Sequence, residues 1–287
     1  MPLILAGAGV YPGSVTSEVA GLVASADRVY VDTYTMPGAD WLLAWARRVA
    51  GERVAPASRE ALEARAREVV EEARRGTVVV LVPGDPLIAT THVSLLVEAA
   101  GRGVEWRVAP GVSGAVSAKV LSGLQYYRFG RTVTIPGPWR GVRAVSVVSQ
   151  IYGNLCVGLH TLALLDVSED GSQLPPAAGA GTLVELEGEL ARDMGVEEGV
   201  LPGLLAAVVE RAGTPEARAY WGTLGGIASG GGSRAPSSIV VAGIVHPTEA
   251  DVLEGLYGVS RGEVERHNAA LRESRLRACR VYEALAL

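Results

Sequence analysis

The chain has 287 residues, 48% of them apolar, which is enough for two packed cores and inconsistent with disorder. A formal net charge of −5 with no basic block argues against a surface that tracks phosphates, so no nucleic-acid partner is expected. Cys156 and Cys279 stand far apart in no metal-ligand spacing, which points to a reducing, cytoplasmic compartment, no disulfide and no metal.

The elements alternate from the start. Leu3–Ala6 reads as a strand ending in Gly7-Ala8-Gly9-Val10-Tyr11, followed by a helix over Ser17–Ala26 and a strand over Arg28–Val31. Asp40 is expected to cap a helix to Ala50, and Ser58 a long charged helix over Glu60–Arg75 that Gly76 stops. Thr77–Val82 is a buried strand, leading through Val82-Pro83-Gly84-Asp85-Pro86-Leu87-Ile88-Ala89-Thr90-Thr91 into an amphipathic stretch from His92 to Ala100 with Thr90 or Thr91 as cap. Pro86 fixes its own φ and biases Asp85 away from the helical region, so the Asp85 carboxylate is expected at the rim, free to accept hydrogen bonds. A strand over Val104–Val108 is ended by Pro110-Gly111, and a helix over Val112–Leu121 follows the small-residue turn Pro110-Gly111-Val112-Ser113-Gly114.

A second set follows: strands over Arg131–Ile135, Thr161–Asp166, Leu204–Glu210, Ala217–Trp221 and Ser238–Ala242, and helices over Val142–Ile151, Leu183–Met194 and Thr248–Tyr257. Ser168–Gly181 and Gly225–Pro236 read as loops, and Arg261–Leu287 as a long charged helix. The uncharged span 144–165 is broken by Ser149, Gln150, Gly153, Asn154 and His160, which disfavours a membrane helix. The fold class is therefore α/β, a parallel-rich N-terminal sheet and a mixed C-terminal one. The expected domains are 1–111 and 112–257, with a helical extension over 258–287.

Gly7-Ala8-Gly9 invites a dinucleotide fingerprint, but Pro12 stands where its third glycine belongs. Three glycine-bearing strand ends (Gly7–Gly9, Gly84–Pro86 and Pro110–Gly114) fall on one edge of a parallel sheet, where open α/β sheets bind ligands. None carries Arg or Lys, which suits a ligand without phosphates, held by backbone groups and apolar walls. Asp32, Tyr34 and Thr35 end the second strand on the same edge; they could hold a substrate carboxylate or amine, or simply close a capping turn. His92 and His160 each admit two readings, substrate binding or a hydrogen-bonded structural role. No Ser-His-Asp arrangement and no carboxylate pair is evident, and no catalytic residue is named.

The strings Gly7–Tyr11, Asp32-Thr33-Tyr34-Thr35, Pro83–His92, Gly123-Leu124-Gln125-Tyr126-Tyr127-Arg128-Phe129-Gly130-Arg131-Thr132 and Gly158-Leu159-His160-Thr161 through Asp166 run in family order. Arg211-Ala212-Gly213 and Val241-Ala242-Gly243 follow. On these the chain resembles the diphthine synthase branch of the tetrapyrrole-methylase-like S-adenosylmethionine-dependent methyltransferases. The resemblance implies two α/β domains with the cofactor in a cleft between them, and a homodimer. It implies S-adenosylmethionine contacts at Val10, Asp85, Ile88, Gly111, Val112, Leu165, Ala212 and Ser237. The implied reaction is methylation of the amino group of a 3-amino-3-carboxypropyl histidine on translation elongation factor 2.

Departures are Asp32 in place of Glu, a longer Pro110–Gly123 stretch, Ser237 in place of His, and segments 225–236 and 258–287 without a counterpart. The Pro-Gly-Val-Ser turn is similar to that of corrin-ring methyltransferases, which leaves a corrin-pathway enzyme as the alternative, beside a non-catalytic cofactor-binding protein.

Overall fold

The computed structural model describes residues 2–143, 145–193 and 199–285. It divides into two compact units. The first comprises Met1–Ser117 with Glu169–Gly171 and Gly213–Pro215; the second comprises Ala118–Ser168, Ser172–Ala212 and Glu216–Leu287.

The first unit is built on five strands: β1 (Leu3–Gly7), β2 (Arg28–Asp32), β3 (Val54–Ala57), β4 (Val78–Val82) and β5 (Trp106–Ala109). They lie in the order β3-β2-β4-β1-β5, and every pairing is parallel. Strands buried on both faces read as continuous apolar runs, as in Leu3-Ile4-Leu5-Ala6 and Val78-Val79-Val80-Leu81-Val82. Side chains alternate between faces. Ile4, Ala6, Val79 and Leu81 join Val19, Val23, Leu42 and Ala46 of helices α1 (Ser17–Ser25) and α2 (Asp40–Ala50). Leu3, Leu5, Val78, Val80 and Val82 pack on the opposite face against α3 (Arg59–Leu62), α4 (Ala66–Glu72) and α5 (Val93–Gly101). From β1 the chain runs outward past β4 to β2, and from β4 it crosses to the other side of β1. The carboxyl ends of β1 and β4 therefore form the point where the winding direction reverses, the position at which such sheets bind ligands.

The second unit begins within α6 (Gly114–Leu121) and holds β6 (Val133–Ile135), β7 (Thr161–Leu165), β8 (Leu205–Glu210), β9 (Arg218–Thr223) and β10 (Ser237–Val241). Their order is β6-β7-β10-β8-β9; β6 and β7 are parallel and the other pairs antiparallel, a mixed sheet as expected. Helices α7 (Val145–Cys156) and α8 (Pro176–Asp193), the short α9 (Leu224–Ala228), α10 (Pro247–Tyr257) and α11 (Arg261–Leu285) complete it. Val148, Ile151, Leu155, Leu183 and Leu271 meet Ile135, Ala163, Leu165, Ile239 and Val241 in one core. Among the described residues no helix is long and apolar enough to cross a membrane.

Several expectations are corrected. Cys156 and Cys279 are disulfide-bonded, with Cα atoms 4.9 Å apart across 123 residues of sequence. Helix α11 lies along α7, with Tyr282 against Gly153, and this packing brings together two cysteines that sequence distance kept apart. The expected helix over 60–75 is two pieces, α3 and α4, interrupted at Glu63–Arg65. Ala39, not Asp40, occupies the cap position of α2. β3 was not expected; it contains Pro56 and is accordingly an edge strand. Helices α8 and α9 take up the ends of the two stretches read as loops, 168–181 and 225–236. The expected helix end at Met194 lies outside the described residues.

Candidate functional site

The loops after β1, β4 and β5 meet at the switch point with backbone against backbone. A Cβ on Gly7 would stand 2.5 Å from the Gly111 nitrogen and 2.7 Å from the Gly84 oxygen. One on Gly111 would run into the Gly84 oxygen and the Gly7 carbonyl carbon. Gly9 and Gly84 exchange backbone hydrogen bonds of 3.1 and 2.8 Å, and Gly84 sits at φ +77°, where a side chain is strained. The three corners thus converge as the sequence suggested.

Asp85 is not the free carboxylate expected. Its Oδ1 accepts from the Leu87 N–H (2.9 Å) and its Oδ2 from the Gly111 N–H (3.2 Å). It is a strut tying the β4 loop to the β5 loop, and its remaining lone pairs are what a ligand could use. Leu87, Ile88 and Val112 are about two-fifths exposed although large and apolar. Ala89 holds φ +59°, a costly conformation for a residue with a side chain, which concentrates at functional loops. Val10 is buried, close to Gly213 and Ser117 of the same unit, and its N–H donates to Ser14 Oγ. Thr90 and Thr91 do not cap α5: Thr90 Oγ1 donates to the Pro86 carbonyl, Thr91 Oγ1 donates to Glu63, and His92 occupies the cap position.

At the end of β2, Asp32 is buried and accepts from the Tyr34 and Thr35 N–H groups (2.9 and 3.1 Å) and from Thr35 Oγ1 (2.7 Å). This is the capping turn. Asp32 also meets His92 Nε2 at 3.2 Å, with both side chains almost fully inaccessible, and the Tyr34 hydroxyl lies 3.5 Å from the same nitrogen. Sequence reasoning missed this pairing, because sixty residues separate its members and only the sheet order brings β2 beside β4.

In the second unit Leu165, Ala212 and Ser237 are all buried. Ser237 and Leu165 share one partner: Gln173 Oε1 accepts from the Ser237 N–H (2.8 Å) and hydroxyl (3.2 Å), and Gln173 Nε2 donates to the Ser237 (3.0 Å) and Leu165 (3.5 Å) carbonyls. Gln173 had drawn no attention in the sequence. Arg211, beside Ala212, sits at φ +49°, a second strained non-glycine residue in a family string. Asp166 accepts from the Gly137 N–H, the Trp139 indole and the Arg140 guanidinium at 2.7–3.1 Å. Burial alone would raise its carboxyl, but Arg140 and these donors hold it below the usual carboxylate range.

His160 is structural. It is fully buried, its Nδ1 accepts from the Gly243 N–H (2.9 Å), and its Nε2 meets Glu249 at 3.1 Å. Glu249 also accepts from the Gln125 and His246 N–H groups and pairs with Arg128 at 3.3 Å. The Gln125–Arg128, Gly158–His160 and Gly243 strings therefore meet in one buried knot.

The corners fit an S-adenosylmethionine-type ligand: packed glycine backbone, one carboxylate strut and exposed apolar side chains, with no cation in the loops to demand a phosphate. Among the described residues no cluster of three or more His, Cys, Asp or Glu is arranged to hold a metal. The family model of the tetrapyrrole (corrin/porphyrin) methylases matches residues 2–228, and the chain belongs to that family. It is accordingly a methyltransferase of the S-adenosylmethionine-dependent class.

Within the family it falls among the diphthine synthases. It is 49% identical to a diphthine synthase of Aeropyrum pernix over 77% of this chain and 76% of that one. It is 36% identical to that of Methanococcoides burtonii over 84% and 90%. Among solved structures, a conserved hypothetical protein from Aeropyrum pernix K1 superposes with TM-score 0.88 at 40% identity, over 98% of both chains. A diphthine synthase crystal structure superposes with TM-score 0.79 at 26% identity, over 93% of this chain and 99% of that one.

Proposed function

We propose that this chain carries out the diphthine synthase reaction, transferring methyl from S-adenosylmethionine to the amino group of a 3-amino-3-carboxypropyl histidine on translation elongation factor 2. The observation that carries the reading is the meeting of Gly7, Gly84 and Gly111 at the switch point, braced by Asp85, in a chain whose relatives are diphthine synthases. Val10, Asp85, Ile88, Gly111 and Val112 are assigned to the cofactor, as are Leu165, Ala212 and Ser237.

S-adenosylmethionine, when bound, supplies the methyl on a sulfonium. The chain supplies position: rigid backbone corners and the apolar walls Ile88 and Val112 that exclude water. Holding the nucleophile in line with the methyl can be worth about 7–11 kcal/mol of barrier. The amine loses its proton to solvent, so no side-chain base is assigned. Elongation factor 2 is the protein partner, the assembly is a homodimer, and the compartment is the cytoplasm; disulfides do occur inside some cells of thermophilic microbes.

Incubation with methyl-labelled cofactor and either elongation factor 2 bearing the modified histidine or a precorrin tests the reading. Label on elongation factor 2 is expected; label on the precorrin alone would replace this reading with the corrin-pathway one.

A further inference from the structure

Three of the four histidines are buried, and one of them is unlike the other two. Both ring nitrogens of His160 are partnered, as are those of His267, whose Nδ1 accepts from the Leu205 N–H and whose Nε2 donates to the Gly243 carbonyl. His92, at 2% exposure, has Nε2 against Asp32 and a buried Nδ1 with no hydrogen-bond partner. A buried unpaired acceptor costs stability and sets His92 apart from the two histidines whose ring nitrogens are both engaged.

The chemistry of the pair fixes the proton positions. Asp32 offers only acceptor oxygens, and its Oδ2 already takes the Thr35 hydroxyl proton. Nε2 of His92 therefore carries the ring proton, and that proton faces both Asp32 Oδ2 at 3.2 Å and the Tyr34 oxygen at 3.5 Å. With its oxygen turned toward an N–H, the Tyr34 hydroxyl is left to donate its own proton elsewhere. Burial, with the neighbouring Asp32 and Glu63 charges, pushes the Tyr34 phenol well above its ordinary range, so it remains a donor at working pH. Tyr34 is only half-buried, and the Arg59 guanidinium lies 5.0 Å from its ring centroid, half-exposed and only loosely paired with Glu63 at 3.9 Å. The guanidinium thus lies over the ring that carries a neutral hydroxyl donor, and both groups are of the kind that bind a carboxylate.

We propose that Tyr34 and Arg59 bind the carboxylate of the acceptor's amino-acid side chain, and that Asp32 and His92 are a positioning pair aiming the Tyr34 hydroxyl at it. This rests on the methyltransferase reading above, whose acceptor carries a carboxylate on the carbon that bears the amine. Fixing that carboxylate fixes the nitrogen. His92 closes the same loop that opens with Asp85, so one eight-residue stretch serves both the cofactor and the acceptor.

The test is steady-state methylation of elongation factor 2 bearing the 3-amino-3-carboxypropyl histidine, with S-adenosylhomocysteine affinity measured by calorimetry and folding by thermal melting. Tyr34→Phe and Arg59→Gln are each expected to raise KM for the protein acceptor about tenfold while S-adenosylhomocysteine affinity stays at the wild-type value. Arg59→Lys should recover part of the loss. His92→Gln, which keeps a donor near Nε2, should lie close to wild type, whereas His92→Leu should behave like Tyr34→Phe; if His92→Leu does not fold, Tyr34→Phe and His92→Gln decide. Wild-type KM in both Tyr34→Phe and Arg59→Gln overturns the proposal and leaves the methyltransferase reading standing. Weakened S-adenosylhomocysteine binding with unchanged KM also overturns it, placing the pair on the cofactor. A wild-type protein that methylates no elongation factor 2 removes the functional reading and this proposal together.

Discussion

Asp85 shows how a single side chain can matter without being the reactive one. Its two oxygens satisfy the Leu87 and Gly111 N–H groups, and so lock the β4 loop to the β5 loop. Replacing it by Ala leaves both donors without their partner, a loss of about 1–3 kcal/mol. Asp85→Ala should weaken S-adenosylhomocysteine binding at least tenfold in calorimetry while the far-ultraviolet circular dichroism stays that of the native fold. Gly111→Ala tests the corner differently, because the added methyl meets backbone and not a movable side chain. It should either abolish cofactor binding or lower the melting temperature by several degrees; a variant unchanged in both would show that the corners do not pack as described. The Gly-Asp-Pro turn and its place at a strand end were legible in the sequence. That the carboxylate was already engaged was not, since its second partner is 26 residues away and only the sheet order makes them neighbours.

Elements are where local signals were read best and where their limits are plain. Strands buried on both faces announce themselves as apolar runs, so β1 and β4 were found nearly to the residue. The edge strand β3 contains Pro56 and packs less, and its four residues carry little periodic signal. The charged stretch after Ser58 reads as one helix by propensity, yet breaks at Glu63–Arg65.

The knot of His160, Glu249 and Arg128, with His267 beside it, joins β7, β10, α10 and α11, and gives the residues of these family strings a structural part in the fold. It also gives the fold an acid limit. Burial pushes His267 down to about 4 from an ordinary 6.5, so unfolding at intermediate pH takes up a proton. The stability it carries is complete above pH 6.5 and is lost as pH falls from there toward 4, on the order of 3 kcal/mol in all. Glu249, for which burial is outweighed by His160 and two backbone donors, is held below the ordinary carboxylate range, so its contribution is lost at still lower pH. Urea melts between pH 7 and 4 should show this decline, and His267→Gln should flatten it; a wild-type profile that is level over that window would contradict the assignment.

For the molecule as a whole, two α/β units and a parallel and a mixed sheet could be read from alternation alone, but the closure of the second unit could not. The expectation of two free cysteines failed because it weighed their spacing in sequence, whereas α11 folds back along α7 and sets Cys279 beside Cys156. A cross-link closing a 123-residue loop restricts the unfolded chain strongly and is typically worth about 2–4 kcal/mol. Reduction, or Cys279→Ser, should therefore lower the melting temperature of the whole protein without changing the affinity for S-adenosylhomocysteine, as differential scanning calorimetry and titration would show. An unchanged melting temperature would mean that α11 is held by its packing alone.

Mass spectrometry of elongation factor 2 after incubation with this protein and S-adenosylmethionine tests the central claim most directly. The account predicts added methyl on the 3-amino-3-carboxypropyl histidine with the wild-type chain and none with Asp85→Ala. An unmodified histidine with the wild-type chain, or full methylation by Asp85→Ala, would contradict it.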